Sequence, residues 1–198
     1  APAISEIIPG LSDQDSEIRK ETANVLYQLG PKAQPAVPAL LNALNDPDAK
    51  VRVAAAWALR VAKPDPNVAM PVFIANLHAG PDRRCSMVVH ALAALGEPAM
   101  PSLLELLKDQ DESLRRTTSS ALSVMGPLVS PYIPALIEAL RSPDREVREN
   151  IAVALAGVGP RAVEPLIRAL RDSDPKVRGG ASYAIERMGE RAGAAAPA

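Results

Sequence analysis

The sequence is poor in the residue types from which disulfides, metal sites and catalytic dyads are built. Its 198 residues include one cysteine, Cys85, and two histidines, His78 and His90. A single cysteine excludes an intramolecular disulfide and leaves the redox compartment open. The 22 basic and 23 acidic side chains give a formal net charge of −1. No charge on the whole chain therefore favours nucleic acid or an anionic membrane, and we expect neither as a partner.

Aromatic residues and long apolar runs are also scarce. Phenylalanine, tyrosine and tryptophan make up 3% of the chain, against 47% hydrophobic residues overall. No run approaches the ~18 apolar residues that suggest a membrane-spanning helix, and there is no signal-peptide pattern. The cellular compartment stays open, with the cytoplasm slightly favoured. Burial must come from leucine, valine, isoleucine and alanine, which is typical of many thin, closely packed helices.

Residues 134–159 form a unit with the pattern of a helical hairpin. From Val147 onward, apolar residues fall at i, i+4, i+7, i+8 and i+11, a spacing that one face of a helix produces and a strand does not. The Asp144 carboxylate can accept hydrogen bonds from the first N–H groups of this helix. Gly159 tolerates the left-handed conformation that commonly ends a helix, and Pro160 cannot continue it. The unit is therefore predicted to be two amphipathic helices joined by a turn.

The same hairpin recurs six times along the chain. In each copy we call the residue equivalent to Arg148 the marker. Arg148 itself follows an apolar residue and stands eleven places before a glycine. The markers are Arg19, Arg52, Cys85, Arg115, Arg148 and Arg178, at steps of 33, 33, 30, 33 and 30 residues. Six copies at a near-constant period predict an all-α fold, an α-solenoid superhelix of about six stacked helical hairpins.

The period predicts one solenoid domain over residues 1–189. The repeats are expected at about 1–30, 35–63, 71–96, 101–126, 134–159 and 164–189, with a flexible Ala-rich tail at 190–198. Neither end has a clearly polar capping repeat. This leaves open both self-association through the ends and a place within a longer array.

Two repeats depart from the pattern. In the first, Pro9 and Gly10 fall in the expected interior of a helix. Since an interior proline costs about 3 kcal/mol, we predict a short or distorted first helix before a regular second one over about residues 16–29. In the third, Arg84 and Cys85 stand where other repeats have an apolar residue and arginine. Any irregularity of stacking is expected there.

The second helices share an opening of the form Asp-x-x-apolar-Arg. It occurs in DPDAKVRVAAAWAL (46–59), SPDREVRENIAVAL (142–155) and DSDPKVRGGASYAI (172–185). Together with the period and the proline at the head of the first helix, this opening resembles HEAT repeats. The nearest subclass is the short HEAT-like repeat of the phycobilisome-lyase type, within the wider armadillo-like group. The resemblance implies a right-handed superhelix with second helices on the concave face, and a family mostly of binding scaffolds with a few enzymes.

Five of the six repeats carry an aspartate four residues before the marker arginine. An arginine in the first turn of a helix meets an unfavourable dipole, so its repetition implies a compensating partner. The simplest partner is the aspartate of its own or a neighbouring repeat. This predicts a structural ladder, since one catalytic site does not need five copies. The ladder residues are Asp15 and Arg19, Asp48 and Arg52, Asp111 and Arg115, Asp144 and Arg148, and Asp174 and Arg178.

No pattern for catalysis or metal binding stands out. The metal-ligand types closest in sequence are His78, Asp82, Cys85 and His90. Cys85 and His90 are five residues apart on a predicted helix, which puts them on different faces, and no CxxC or HExxH spacing supports them. Both histidines precede alanine, unlike the His-Glu pairs of HEAT-repeat di-iron hydroxylases. We therefore predict no catalytic residue, no metal and no cofactor.

The fifth and eighth positions after the marker lie away from the apolar stripe of the second helix. They hold Tyr27, Trp57, Arg60, His90 and Tyr183. Tryptophan and tyrosine are enriched in binding hot spots, so we predict that these five residues contact a partner on the concave face. Packing of Trp57 over a neighbouring helix is an equally weighted alternative.

The function that these observations favour is a non-enzymatic protein–protein interaction scaffold. Its partner is expected to be a protein or a peptide bound on the concave face. Two alternatives stay open. A bilin-lyase-like enzyme or lyase subunit is suggested only by the resemblance. A structural spacer or segment of a longer repeat array is suggested by the uncapped ends.

Overall fold

The chain folds into α-helices joined by short turns. The structure is a computed structural model that describes residues 4–79 and 87–195, and of residues 190–195 only the helical backbone. Within these ranges there is no strand, and the helices form six consecutive hairpins. The α-helices are α1 Ile4–Ile7, α2 Ser16–Leu29, α3 Val37–Ala43, α4 Ala49–Ala62, α5 Pro66–Leu77, α6 Met87–Ala93, α7 Met100–Leu106, α8 Glu112–Ser123, α9 Ile133–Ala139, α10 Arg145–Val158, α11 Val163–Ala169 and α12 Pro175–Ala195. The predicted α-solenoid of helical hairpins is confirmed.

Most of the described prolines lie in turns and in the first residues of helices, where a missing N–H does least harm, although Pro71 lies inside α5. Several of them fall in 3-10 segments that precede the first helix of a hairpin. These segments are Gly30–Ala36, Glu97–Ala99, Gly126–Tyr132 and Pro160–Ala162. Prolines in such places are compatible with a helical chain.

Aspartates begin the second helices and left-handed residues end them. The Asp144 carboxylate accepts the Glu146 N–H at 3.1 Å, as predicted. The other four ladder aspartates, Asp15, Asp48, Asp111 and Asp174, cap their helices in the same way. Gly159 ends α10 with φ +78°, and Lys63, at the glycine position of the second repeat, adopts φ +51° after α4. A positive φ is thus kept at this position even where lysine replaces glycine, although ψ is 65° at Lys63 and −147° at Gly159.

The first hairpin begins irregularly. Helix α1 spans only four residues, and a 3-10 segment, Ile8–Ser12, follows it and contains Pro9. The regular helix α2 then runs over Ser16–Leu29. The predicted distortion of the first helix is confirmed, because proline cannot supply the N–H that a continuous helix would need at that point.

Contacts divide the chain into two compact units, residues 1–99 and 100–198. The sequence predicted one domain over residues 1–189. Unit one contains repeats one to three, in which α2 packs beside α4 and α4 beside α6. Unit two contains repeats four to six, in which α8 packs beside α10 and α10 beside α12. In repeats one to five the seventh position after the marker is a fully buried leucine, as at Leu59 and Leu155, whereas in repeat six it is the half-buried Ile185.

The sixth hairpin has a close helix contact and a long second helix. A Cβ added to Gly180 would lie 2.6 Å from Leu140 Cδ2, so the glycine lets α12 approach the end of α9. Gly189 lies inside α12, which continues to Ala195, whereas the sequence predicted a helix end at Gly189 and a flexible tail after it. A helical glycine costs only about 1 kcal/mol relative to alanine, and the alanines after it favour helix. Residues 196–198 of the predicted tail lie outside the described residues.

Part of the third repeat also lies outside the described residues. This part includes Asp82, Arg84 and Cys85, on which the predicted stacking irregularity depends. Among the described residues, no single helix is long and apolar enough to cross a membrane. One pair of helical segments, Glu112–Ser123 and Gly126–Ala139, passes that test together on the grounds of length and composition alone, and the two segments are bent by 111° relative to each other.

Candidate functional site

The fifth and eighth positions after each marker form the accessible side of the second helices. The fifth position is half-buried at Asn24, Trp57, His90, Ser120 and Val153, and 36% exposed at Tyr183. The eighth position is exposed at Tyr27, Arg60 and Glu186, half-buried at Ser123, and buried at Ala93 and Ala156. At the eighth position exposure therefore follows side-chain size, whereas at the fifth position tryptophan and serine are both half-buried.

Tyr27 and Trp57 are in ring contact across two neighbouring helices. Their ring centroids are 6.3 Å apart and the ring planes meet at 70°, an edge-to-face arrangement. The contact arises because α2 packs beside α4, which brings the eighth position of one repeat next to the fifth position of the following repeat. Such aromatic pairs contribute about 0.5–1.5 kcal/mol beyond the area that they bury.

The Arg60 guanidinium lies over the ring of the same tryptophan. The guanidinium carbon lies 5.0 Å from the Trp57 ring centroid, within the range of a cation–π interaction. The two residues are three apart on α4, so the helix itself sets the contact. Trp57 is half-buried and contacts Tyr27 of the neighbouring helix, which agrees with the packing that the sequence offered as an alternative.

His90 extends this group of side chains onto the third repeat. It occupies the fifth position of α6 and is half-buried. Burial lowers the pKa of His90, and the nearby charge of Arg60 lowers it further. The imidazole is therefore neutral at pH 7, with one nitrogen as a donor and the other as an acceptor.

We call Tyr27, Trp57, Arg60 and His90 the aromatic patch. It lies on three successive second helices, α2, α4 and α6, and all four residues were predicted contact residues. It presents aromatic area together with a hydroxyl, an indole N–H, a guanidinium and a neutral imidazole. The fifth predicted residue, Tyr183, lies in unit two, in an open groove between α10 and α12 beside Arg145 and Lys176.

The ladder arginines donate to backbone carbonyls of their own repeat. Arg148 Nη1 lies 2.8 Å from the Ser142 carbonyl oxygen and 2.9 Å from that of Pro143. The same pair of carbonyls, six and five residues before the arginine, is bound by Arg19, Arg52, Arg115 and Arg178. Each arginine thus fixes the turn of its hairpin. Backbone acceptors carry no sequence signal, which is why the residue pattern suggested only the aspartates.

Ion pairs join neighbouring repeats within each unit. Arg19 donates to both Asp46 carboxylate oxygens, at 2.7 and 2.9 Å, and Arg141 to both of Asp172, at 3.1 and 2.9 Å. Burial raises the pKa of Asp46, but hydrogen bonds from Arg19 and from the Asp48 N–H outweigh it, so this pKa lies below its ordinary value. Asp46 and Asp172 lie six residues before a marker, whereas the aspartates of the predicted ladder lie four residues before one.

The described residues contain no group of three histidine, cysteine, aspartate or glutamate side chains that could hold a metal ion. His78 is exposed after the end of α5, whereas His90 belongs to the aromatic patch. Of the other two metal-ligand types singled out in the sequence, Asp82 and Cys85, neither lies in the described ranges.

Comparison with protein families identifies the repeat. The HEAT repeat family matches residues 4–87 and 133–197, which is more than half of the chain. A search of curated proteins found no match.

Solved structures of repeat proteins are similar in fold. A structure described as the basis of microtubule plus-end tracking by XMAP215, CLIP-170 and EB1 has a TM-score of 0.60, at 22% identity, over 92% of this chain and 90% of the other. The complex of CpcE and CpcF of phycocyanin lyase from Nostoc sp. PCC7120 has 0.54, at 23% identity, over 96% and 78%. The karyopherin Kap121p bound to the extreme C-terminus of the phosphatase Cdc14p has 0.59, at 13% identity, over 96% and 26%. At these identities the likeness concerns the fold.

Proposed function

We propose that this chain, which belongs to the HEAT repeat family, is a non-enzymatic scaffold that binds a protein or peptide through the aromatic patch. The observation that carries the proposal is the continuous contact of Tyr27, Trp57 and Arg60 on adjacent helices. Large aromatic side chains beside arginine are the residue types that dominate binding energy at protein interfaces.

The geometry supports this use because the patch is already held in place. Trp57 contacts both the Tyr27 ring and the Arg60 guanidinium, so less side-chain freedom remains to be lost on binding. Tyr27 nevertheless keeps 42% of its surface exposed. A rigid, partly exposed aromatic group is a favourable anchor for a partner.

The similar structures support the partner class. CpcE is in complex with CpcF, and Kap121p is bound to the extreme C-terminus of another protein. Each structure thus contains a protein of similar fold together with a second polypeptide. We place the patch on the concave face of the solenoid and assign Tyr183 as a further contact residue.

The proposal is tested by affinity capture from a lysate of the source organism. Wild type is compared with Trp57→Ala/Arg60→Glu and with Ser120→Ala/Ser123→Glu. The control pair occupies the same fifth and eighth positions in repeat four. We expect a partner that wild type and the control retain and that the patch variant loses, with affinity reduced by at least ~30-fold, the equivalent of a ~2 kcal/mol hot spot.

Circular dichroism of both variants checks that they remain folded. A partner retained equally by all three proteins would contradict binding at the patch. Capture of nothing by wild type would contradict the scaffold function itself.

The lyase alternative depends on the likeness in fold to CpcE and CpcF. To distinguish a lyase from a scaffold, the purified chain is mixed with a bilin and the visible absorption spectrum of the bilin is followed. A scaffold of the proposed kind leaves the spectrum unchanged, whereas a lyase shifts it or transfers the bilin to an acceptor protein.

A further inference from the structure

The first repeat exposes apolar residues that later repeats bury. Ile18 and Val25, one residue before and six residues after the marker, are 47% and 41% exposed. In the second repeat the same positions hold Val51 and Ala58, both fully buried, because the preceding repeat covers them. Val147 and Ala154, and Val177 and Ala184, are fully buried in repeats five and six. We call the surface of Ile18 and Val25 the N-face.

The last repeat has the opposite exposure. Val163, Ile167 and Leu170 of the sixth hairpin are 40%, 44% and 38% exposed. Positions equivalent to Leu170, eight residues before the marker, are buried wherever the same unit contains a following repeat. These are Leu11, Leu44, Leu107 and Leu140. We call the surface of Val163, Ile167 and Leu170 the C-face. Within the described residues, no further hairpin covers either face.

The charges beside the two faces are also complementary. Within unit two, Arg141 binds Asp172 of the next repeat. The residue equivalent to Arg141 in the sixth repeat is Arg171, beside the C-face, and the residue equivalent to Asp172 in the first repeat is Asp13, beside the N-face. Asp13 holds its turn as Asp172 does, since its Oδ1 accepts the Asp15 N–H at 2.8 Å. In the described part of the chain, neither Asp13 nor Arg171 forms a side-chain ion pair within 4.0 Å.

A second arginine adds to this complementarity. Arg19 binds Asp46 six residues before the next marker. Arg178, which is exposed, is the residue of the sixth repeat equivalent to Arg19. Asp13 is the residue of the first repeat equivalent to Asp46. Two cations at the C-face thus correspond to one carboxylate at the N-face.

We propose that two copies of this chain associate head to tail, the C-face of one covering the N-face of the next. The junction repeats the contacts that join consecutive hairpins, with apolar burial of Ile18, Val25, Ile167 and Leu170 and an ion pair between Arg171 and Asp13. The two faces differ, so the interface is heterologous and each copy keeps one face free for a further copy. The proposal does not depend on the aromatic patch.

One residue opposes this association. Gly180 makes room for Leu140 between repeats five and six, but Glu21 stands at the corresponding place in repeat one. A carboxylate there must turn aside or lose water when Leu170 arrives. Replacement of Glu21 by alanine is therefore expected to strengthen the association.

The test is analytical ultracentrifugation of the 198-residue chain over a range of concentrations. We expect the weight-average mass of wild type to rise with concentration. Ile18→Glu removes the N-face and Ile167→Glu the C-face, and each variant alone should stay monomeric, with association weakened more than ~10-fold. An equimolar mixture of the two variants keeps one intact face of each kind and should form dimers and nothing larger.

Val124→Glu is the matched control, because Val124 is 80% exposed and belongs to neither face. It should associate like wild type, whereas Glu21→Ala should associate more tightly and Arg171→Glu less tightly. Circular dichroism confirms that each variant is folded. A monomeric wild type at every concentration would overturn the proposal. So would an Ile167→Glu variant that still forms dimers by itself, because the N-faces would then pair with each other.

Discussion

Repeats two and four present the same two surface positions with different chemistry. In unit one these positions are Trp57 and Arg60, and in unit two they are Ser120 and Ser123. The helices, caps and buried leucines around them follow the same pattern. Helix α4 spans 14 residues and α8 spans 12, but both begin at a capping aspartate and bury a leucine at the seventh position, so the two surface positions differ chiefly in their side chains.

This comparison separates what the repeat needs from what is free to vary. The seventh position must be apolar because the neighbouring helices bury it in both units. The fifth and eighth positions carry no such requirement, so repeat two can hold Trp57 and Arg60 where repeat four holds two serines. Binding chemistry in this chain is thus expected to be local to a unit and not a property of the fold.

The largest predicted effect concerns the shared core. Leu59→Ala in unit one and Leu155→Ala in unit two each remove a side chain with no exposed surface. Both should lower the free energy of unfolding by about 2–5 kcal/mol, since each leaves a cavity in a similar setting. Urea unfolding followed by circular dichroism measures the two losses. A loss below ~1 kcal/mol in either variant would show that the two cores are not equivalent.

A second prediction compares ion pairs between repeats. The Arg19 and Asp46 side chains are 12% and 8% exposed, whereas those of Arg141 and Asp172 are 37% and 22% exposed. Arg19→Ala should therefore lower the urea midpoint more than Arg141→Ala, because solvent compensates for less of the lost interaction. Lys108→Ala serves as a control for an exposed cation, with little change expected. Equal losses from the two arginine variants would contradict the dependence on burial.

The third prediction tests the aromatic contact by double-mutant cycles. Tyr27→Ala and Trp57→Ala should show a coupling energy of about 0.5–1.5 kcal/mol in urea unfolding. Ser123→Ala and Val153→Ala occupy the same pair of positions in repeats four and five and should show coupling near zero. Similar coupling in the two cycles would mean that the backbone, not the rings, links the positions.

The smallest expected effect is a pH dependence restricted to unit one, which contains both histidines of the chain. Burial, and then the charge of Arg60, lower the pKa of His90. The stability that the neutral imidazole contributes is present above the ordinary pKa of about 6.5 and is lost as pH falls through the lowered value. His90→Gln should reduce this loss. Proton NMR titration measures the pKa of His90, whose imidazole signal is identified by its absence from the His90→Gln variant. A pKa above 6.5 would refute the prediction.

The sequence was sufficient to predict most of the helices because their signals are local. Asp144 and Gly159 mark the ends of one helix, and Pro9 marks the irregular start of the first hairpin. The patch residues could be identified by their position relative to the marker. Their mutual contacts could not, because contact between Tyr27 and Trp57 depends on the distance between two helices.

Other features lacked a residue signal. Nothing in a lysine indicates the left-handed conformation of Lys63, which is imposed by the turn after α4. The arginine partners were missed for a related reason, since carbonyl oxygens are present at every residue. The division into two units likewise depends on contacts over many residues and has no single sequence marker.

The only tryptophan of the chain, Trp57, provides an intrinsic fluorescence probe for the unfolding of unit one. Trp57 lies in unit one, under Arg60 and beside Tyr27, and unit two contains no tryptophan. Indole emission excited selectively therefore follows the loss of structure in the first three hairpins, whereas the amide signal follows all six. If the two curves separate during denaturation, the difference between them isolates the melting of the hairpins that carry no fluorophore, without any label.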